Sequence, residues 1–462
     1  METTPVCLVS DLQVKRERLM ILLPEKIRER RTLFLSNIDQ KLVHYVQKVV
    51  HFFAADVQIP FDAIVYVHTQ ALNKLLLAYD FMCGRLIFNS EEKRFQIDCN
   101  AAGVPFAVCT SELSLEELGD VTYPNPAFTQ LFVIPGNGRP EDEPLISFQV
   151  TRFKCGGFAM GTAVNHCLMD GFALQEFAKN FAFLAKKGEV AFEPVVDRTC
   201  LKARSPPQID YEHHEYYQNH SEIGAKALNS SIFTQRDKDV WHNKVALHNP
   251  LDEHVFGLFS FSGKMLQSLK TKAINGGAKH CTSFIAAMAH LWRARTCTIP
   301  NMAAHDVSTV QFAVDLRSKM MPPLPREFAG NATFTAYAKA TAKELKEEPF
   351  SHTVKKLQEG VDRLTDEYVR SRIDLLELHD GVACLENGFL ASSWSHMGFR
   401  DFDFGGVIKS VHASPVVSGW TDVVIFLANP KDKEGIQIYI GLEAAHMKKF
   451  RQLVGMVDNI AV

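Results

Sequence analysis

The sequence predicts a mixed α/β fold in more than one domain, and three observations carry that expectation. The chain has 462 residues, too many for one ordinary core and suited to two or three domains. Apolar patterns of period two and period 3.6 alternate along it. After Lys187-Gly188 the composition changes: residues 189–240 hold Ser205-Pro206-Pro207, His213-His214-Glu215 and few long apolar runs. Such a stretch suits a crossover linker between a domain at 1–188 and another at 241–462.

The elements follow in order. Leu42 to Phe53 mixes apolar and polar residues as a strand does, and Ala63 to Leu77 predicts a helix with Leu72, Leu75 and Leu76 on one face. Strands are expected near Arg94 to Asp98 and from Leu145 to Lys154, with Gly156-Gly157 breaking the pattern. Phe158, Met160, Thr162 and Val164 then share one parity, which His166 continues. Beyond it Leu174, Phe177, Phe181 and Leu184 recur at helical spacing up to Lys187-Gly188. The second half opens with a strand at Val255 to Phe261 and a helix at Lys264 to Ile274, which Gly276-Gly277 ends. Thr282-Ser283 caps a helix bearing Phe284, Met288, Leu291 and Trp292. Strands at Thr309 to Val314 and Thr333 to Tyr337 precede one long charged helix over Lys343 to Leu376. Strands at Ser410 to Val417, Asp422 to Ala428 and Gly435 to Leu442 close the chain.

His166-Cys167-Leu168-Met169-Asp170-Gly171 is the most informative stretch, because a strand delivers the histidine and a helix follows it. A tight Asp-Gly turn there can aim one imidazole nitrogen at a cavity, and a neutral imidazole accepts a proton near pH 7. A core histidine beside an ordinary strand-to-helix turn has the same pattern, and the stretch alone leaves both readings open.

Composition removes several function classes. With 50 basic and 53 acidic residues the formal net charge is −3, which favours neither nucleic acid nor an anionic membrane. Hydrophobic content of 46% supports a large core, and 33 Phe hint at apolar-lined cavities. The ten cysteines show no C-x-x-C pair and suit reduced, mostly buried thiols in the cytosol. No stretch approaches the apolar length of a membrane span, and Met20 to Leu23 is too short for a secretory segment. The sequons at Asn219, Asn229 and Asn331 therefore carry no expectation of glycosylation. His213, His214 and Glu215 lack the facing of a zincin helix, so no metal is expected. Cys167, adjacent to His166, would point to the opposite face and is not expected to act with it. There is no G-x-S-x-G elbow, no P-loop and no G-x-G-x-x-G after a strand. A histidine acting directly as general base remains. That suits transfer of an activated acyl group, since the donor brings its own leaving group and the catalyst must deprotonate the acceptor and stabilise one oxyanion.

The chain resembles the plant BAHD acyltransferases almost end to end. The matching pieces are Leu35-Ser36-Asn37-Ile38-Asp39-Gln40, Tyr79-Asp80-Phe81-Met82-Cys83-Gly84-Arg85-Leu86, and the segment from Gln149 to Phe158. The histidine box, Cys281-Thr282-Ser283-Phe284, Val314-Asp315-Leu316-Arg317-Ser318-Lys319, Pro322-Pro323-Leu324-Pro325 and Gly330-Asn331 follow in order. Condensation domains of peptide synthesis share the box but usually carry a second histidine before it, where Asn165 stands here.

The resemblance implies two domains of chloramphenicol acetyltransferase-like fold, each a mixed sheet flanked by helices, with a solvent channel between them. A CoA thioester would reach His166 from one face and a small hydroxyl or amine acceptor from the other, without an acyl-enzyme. Asp170 would point away from substrate and pair with Arg317, so that with Gly171 it holds the turn. Ser392 and Trp394 would line the channel, with a hydroxyl for the oxyanion, and Ser283 would lie near CoA. The family's D-F-G-W-G signature is here Asp403-Phe404-Gly405-Gly406-Val407, in which Asp403, Phe404 and Gly405 would suffice to fold a mainly structural loop. The resemblance further implies no resident cofactor, CoA thioester being a substrate, and a cytoplasmic monomer.

Within the family the likeness runs to the ω-hydroxy fatty acid and fatty alcohol hydroxycinnamoyltransferases. It rests on Asp197 to Pro207, Glu367 to Asp374 and Trp394 to Phe399. Two other readings stay open: closure of a hydroxycinnamoyl thioester to a coumarin, and a non-catalytic partner of fatty acid elongation.

Overall fold

The computed structural model describes residues 9–54, 59–123, 125–133, 139, 141–216, 254–379, 381, 383–397, 410–415 (backbone only) and 423–455. In the first half the order is β1 (Val14–Leu22), β2 (Arg31–Phe34), α1 (Asn37–Gln40), β3 (Val46–Phe53) and α2 (Phe61–Ala78). Then come β4 (Arg85–Asn89), β5 (Arg94–Cys99), β6 (Val104–Ser111), β7 (Ile146–Arg152), β8 (Phe158–Asn165) and α3 (Gly171–Lys187). The second half holds β9 (His254–Phe261), α4 (Gly263–Asn275), α5 (Ser283–Thr296), β10 (Val307–Asp315) and β11 (Thr333–Thr341). It continues with α6 (Ala342–Glu347), α7 (Phe350–Asp362), α8 (Asp366–Leu378), β12 (Phe389–Ser393), β13 (Ser410–Pro415), β14 (Val423–Ala428), β15 (Ile436–Glu443) and α9 (Ala444–Val454).

Among the described residues, two six-stranded mixed sheets organise the fold. Their orders are β1-β6-β7-β8-β3-β13 and β11-β10-β12-β14-β15-β9, and a small sheet β2-β5-β4 stands beside the first. The parity read from β8 decides its two faces. Phe158, Met160 and Val164 pack into a core with Leu72, Leu75 and Leu76 of α2 and with Leu174, Phe177, Phe181 and Leu184 of α3. The opposite parity, Ala159 and Ala163, joins a separate cluster with Phe52, Phe128 and Leu131. The second sheet buries Phe389, Ala391, Val424, Phe426 and Ile438 beneath α4, α5, α7 and α9. Its other face carries Leu258, Val423, Ile425 and Tyr439, with Tyr123 of the first half packed against it. The Tyr123 hydroxyl donates to the Phe256 carbonyl at 3.1 Å, so this face is turned toward the first half.

Four departures from the sequence reading have physical causes. The single helix expected over Lys343 to Leu376 is three, α6, α7 and α8. Pro349 precedes α7, and the Thr341 and Thr365 side chains start α6 and α8 as N-caps. Second, β13 does not stay with the half expected to span 241–462: it pairs antiparallel with β3, from Ser410 opposite Phe53 to Pro415 opposite Val49. Third, the described part of the expected linker is anchored to both halves, with Arg198 bound to the Cys167 and Leu168 carbonyls of the first. Val195 bridges to Phe328 and Tyr216 to Ala383, while Arg198, Leu201 and Glu215 are buried. Fourth, β1, β2, β6, β12 and α9 carried no sequence expectation.

Candidate active site

β8 ends at Asn165, and His166 extends its ladder by one rung, its N–H donating to the Tyr45 carbonyl at 2.7 Å. From Gly157 to Asp170 every residue is buried except His166, which keeps part of its surface open. The turn after it is clamped from three sides. Arg198, fully buried, donates to the carbonyl oxygens of Cys167 at 2.7 Å and Leu168 at 2.6 Å, and to that of Ala329 at 3.1 Å. Asp170 is the N-cap of α3, its Oδ1 accepting from the Ala173 N–H at 2.9 Å. Gly171 leaves room for Met397, whose Cε would lie 2.3 Å from a Cβ at that position.

Arg317 and Asp170 are brought together as a two-pronged buried pair, with both nitrogen–oxygen distances 3.1 Å. Asp170 Oδ2 also accepts from the Ala332 N–H at 2.8 Å and the Thr333 hydroxyl at 2.9 Å. Burial works to raise this carboxyl, but Arg317 and the backbone donors outweigh it and hold the group below its ordinary value. All the lone pairs of Asp170 point into this scaffold. These contacts close β10 and β11 of the second half onto the turn of the first.

The imidazole is oriented by residues the sequence reading did not assign. His166 Nδ1 lies 3.2 Å from Asn331 Oδ1. The Asn331 amide donates to Asp39 Oδ1 at 2.7 Å and to the His166 carbonyl at 2.8 Å. Asp39 Oδ2 accepts from the Ser36 N–H and hydroxyl, both at 2.8 Å, and pairs with Arg198 at 3.2 Å. Burial holds His166 below its usual pKa, opposed by its own backbone, Asp170, Asn331 and Asp39. The ring is thus neutral at pH 7 and available to take a proton.

The other expected positions fall as follows. Ser392 is half-buried on β12, on the parity of Leu390, which packs on the face turned toward the first half. Trp394 packs against both that cluster and the first core, and its backbone N–H donates to the Phe426 carbonyl at 2.7 Å. Ser283 is half-buried as the first residue of α5, while Thr282 supplies the cap to the Ile285 N–H at 3.2 Å. Asp403, Phe404 and Gly405 lie outside the described residues. Cys167 is fully buried, and its thiol is pushed far up by desolvation, so it is no nucleophile. Glu215 spends its carboxylate on His213 at 3.0 Å, Tyr368 at 2.7 Å and Arg372 at 3.3 Å, as the strut of the 189–216 strap. Among the described residues no helix is long and apolar enough to cross a membrane.

A partly open histidine on a clamped strand-to-helix turn, tied to the second half through Asn331, sits in a two-sheet α/β fold of the chloramphenicol acetyltransferase-like kind. The sequence profile of the Transferase family matches residues 12–455, and the chain belongs to this family, the BAHD acyltransferases. It is similar to "Acyltransferase GLAUCE" of Arabidopsis thaliana, 36% identical, with 97% of each chain covered. It is also similar to the omega-hydroxypalmitate O-feruloyl transferase of that plant, at 30% identity over 96% of this chain and 92% of the relative. A fatty alcohol:caffeoyl-CoA acyltransferase from the same plant is 28% identical over 96% of this chain and 98% of its own. Among solved structures vinorine synthase has the same fold, with a TM-score of 0.71 at 20% identity over 96% of this chain and 99% of that one.

Proposed function

We propose that the protein moves a hydroxycinnamoyl group (feruloyl, caffeoyl or p-coumaroyl) from CoA to a hydroxyl acceptor such as an ω-hydroxy fatty acid or fatty alcohol. His166 is the general base. The observation that carries this reading is a neutral, partly open imidazole fixed on a turn that is otherwise buried. The feruloyl and caffeoyl transfer named for two of the relatives supports the substrate classes.

In this mechanism Nε2 takes the acceptor's hydroxyl proton while its oxygen attacks the thioester carbonyl. The C–O bond forms as the carbonyl π bond moves onto oxygen. Ser392 donates to that oxyanion. Collapse breaks the C–S bond, and the imidazolium returns its proton to the CoA thiolate. The balance is one ester and one free CoA thiol, with no acyl-enzyme and the thioester itself as the activated reagent. Asp170, Gly171 and Arg317 keep the turn in place, Ser283 borders CoA and Trp394 lines the channel. In this reading the protein acts as a cytosolic monomer.

The test incubates purified protein with feruloyl-, caffeoyl-, p-coumaroyl- and acetyl-CoA, each alone and with pooled long-chain alcohols and ω-hydroxy acids, and with amines. Free thiol release and product mass are followed. A new ester from a hydroxycinnamoyl thioester is the expected result, and His166→Ala should reduce it by about 10²–10⁴-fold while the fold is kept. Release without acceptor, giving a lactone, would replace this reading with ring closure. No release with any donor would overturn it in favour of a non-catalytic role.

A further inference from the structure

A neutral histidine is a base at only one of its two nitrogens, and which one depends on where its single proton sits. At His166 that choice is traceable through three residues. The Asn331 amide has a donating end and an accepting end. Its Nδ2 faces the Asp39 carboxylate at 2.7 Å and the His166 carbonyl at 2.8 Å, two groups that can only accept. Its Oδ1 must therefore face the ring, 3.2 Å from Nδ1. An amide oxygen only accepts, so Nδ1 carries the proton and Nε2 is left bare. The reversed amide would set an oxygen against both the carboxylate and the carbonyl.

Asp39 is itself held in one orientation. Its Oδ2 is taken by the Ser36 N–H, the Ser36 hydroxyl and Arg198, which leaves Oδ1 for Asn331. Asp39 and Arg198 are both fully buried, so water does not substitute for either. Asn37, two residues earlier, ties the same short helix to the second half through the Ile373 carbonyl at 2.9 Å.

We infer that Asp39 is a positioning residue that sets the tautomer of His166 through Asn331, and so decides that Nε2 is the nitrogen available to substrate. The inference rests on His166 being the base, and it assigns a function to a carboxylate that touches neither ring nor substrate. It makes a sharp statement about Asp39→Asn. The two Ser36 donors at Oδ2, with the Arg198 cation beside them, keep the new amide's oxygen there, so its NH2 turns toward Asn331. Two NH2 groups cannot face each other, so one of the two contacts that hold the Asn331 amide becomes a repulsion, while the His166 carbonyl still favours its present orientation. Where Asn331 reverses, its NH2 donates to Nδ1 and the proton moves to Nε2, so the single tautomer becomes a mixture.

The test is ¹⁵N-histidine NMR of the full-length protein at pH 7.5, with the His166 signals assigned by their loss in His166→Gln. Wild type should show protonated Nδ1 and bare Nε2. In Asp39→Asn protonated Nε2 should appear beside protonated Nδ1, and kcat should fall in proportion to the fraction of ring carrying Nε2–H, with KM for the thioester little changed. Protonated Nε2 in wild type overturns the inference without any variant. So does an Asp39→Asn protein that keeps Nδ1–H as completely as wild type, or that gains Nε2–H at full kcat. If Asp39→Asn does not fold, Asn331→Leu cuts the same path, and an undiminished Nδ1–H preference there is equally fatal. Activity surviving in His166→Ala would instead refute the base assignment, whatever the tautomer.

Discussion

Asp170→Asn separates a residue that holds the site from one that performs its chemistry. Asparagine caps a helix as well as aspartate does, so the bond to the Ala173 N–H contributes almost nothing to the difference. The charge is another matter. Asp170 is 4% and Arg317 7% exposed at the side chain, and removing one partner of a buried pair costs roughly 3–5 kcal/mol. Arg317 is not wholly orphaned, since it keeps Asp315 at 2.8 Å and the Phe328 carbonyl at 3.1 Å, which argues for the lower end. Against that, the new NH2 must face a donor where Oδ2 now accepts from Ala332 and Thr333, at about 1–3 kcal/mol. A net loss of about 3–5 kcal/mol follows. Asp315→Asn should cost no more than about 1 kcal/mol, because Asp315 is 28% exposed and Arg317 retains Asp170. The assay is the urea midpoint of both variants at pH 7.5, alongside residual turnover at a temperature where each is folded. An Asp170→Asn protein within about 1 kcal/mol of wild type but inactive would refute the structural assignment.

Two further outcomes follow from buried imidazoles. Desolvation lowers His51 and His68 from 6.5 to about 4, so between those pH values the unfolded chain binds more protons than the native one. Stability is therefore full above pH 6.5 and falls through that window, by roughly 7 kcal/mol for the pair at ~1.36 kcal/mol per unit. Urea midpoints measured at pH 7 and pH 4.5 should differ steeply, and equal midpoints would mean neither ring is held neutral. His166 also lies below 6.5, chiefly through burial. Since the neutral ring is the active form, kcat/KM should stay level from pH 8 down past 6.5 and fall only below that. An acid limb centred at pH 7 or higher would contradict it.

What was legible in the sequence was local. Period two through Phe158, Met160 and Val164, then helical spacing from Leu174 to Leu184, located His166 at a strand-to-helix turn because both patterns arise from neighbours along the chain. The orientation of its ring was not legible: Asn331 is 165 residues from His166 and 292 from Asp39, and no periodicity reports a contact over that distance. Asp39 and Asn331 stood inside recognisable motifs, yet only geometry gave them work. β1 escaped notice because it is an edge strand with most of its residues exposed, which erases the alternation a half-buried strand shows. The long helix failed differently, since a charged stretch with helical propensity throughout conceals breaks made by one proline and two threonine caps.

The exchange of β13 into the first sheet sets a schedule for the newborn chain. Until residues 410–415 emerge from the ribosome, β3 presents Val49, Val50, Phe52 and Phe53 along an edge with no neighbour on that side. Such an edge recruits stray strands. A nascent or truncated N-terminal half is therefore a sticky intermediate in need of chaperoning. Splitting the gene between the two sheets should yield inclusion bodies from the first fragment, and soluble protein only when both are made together.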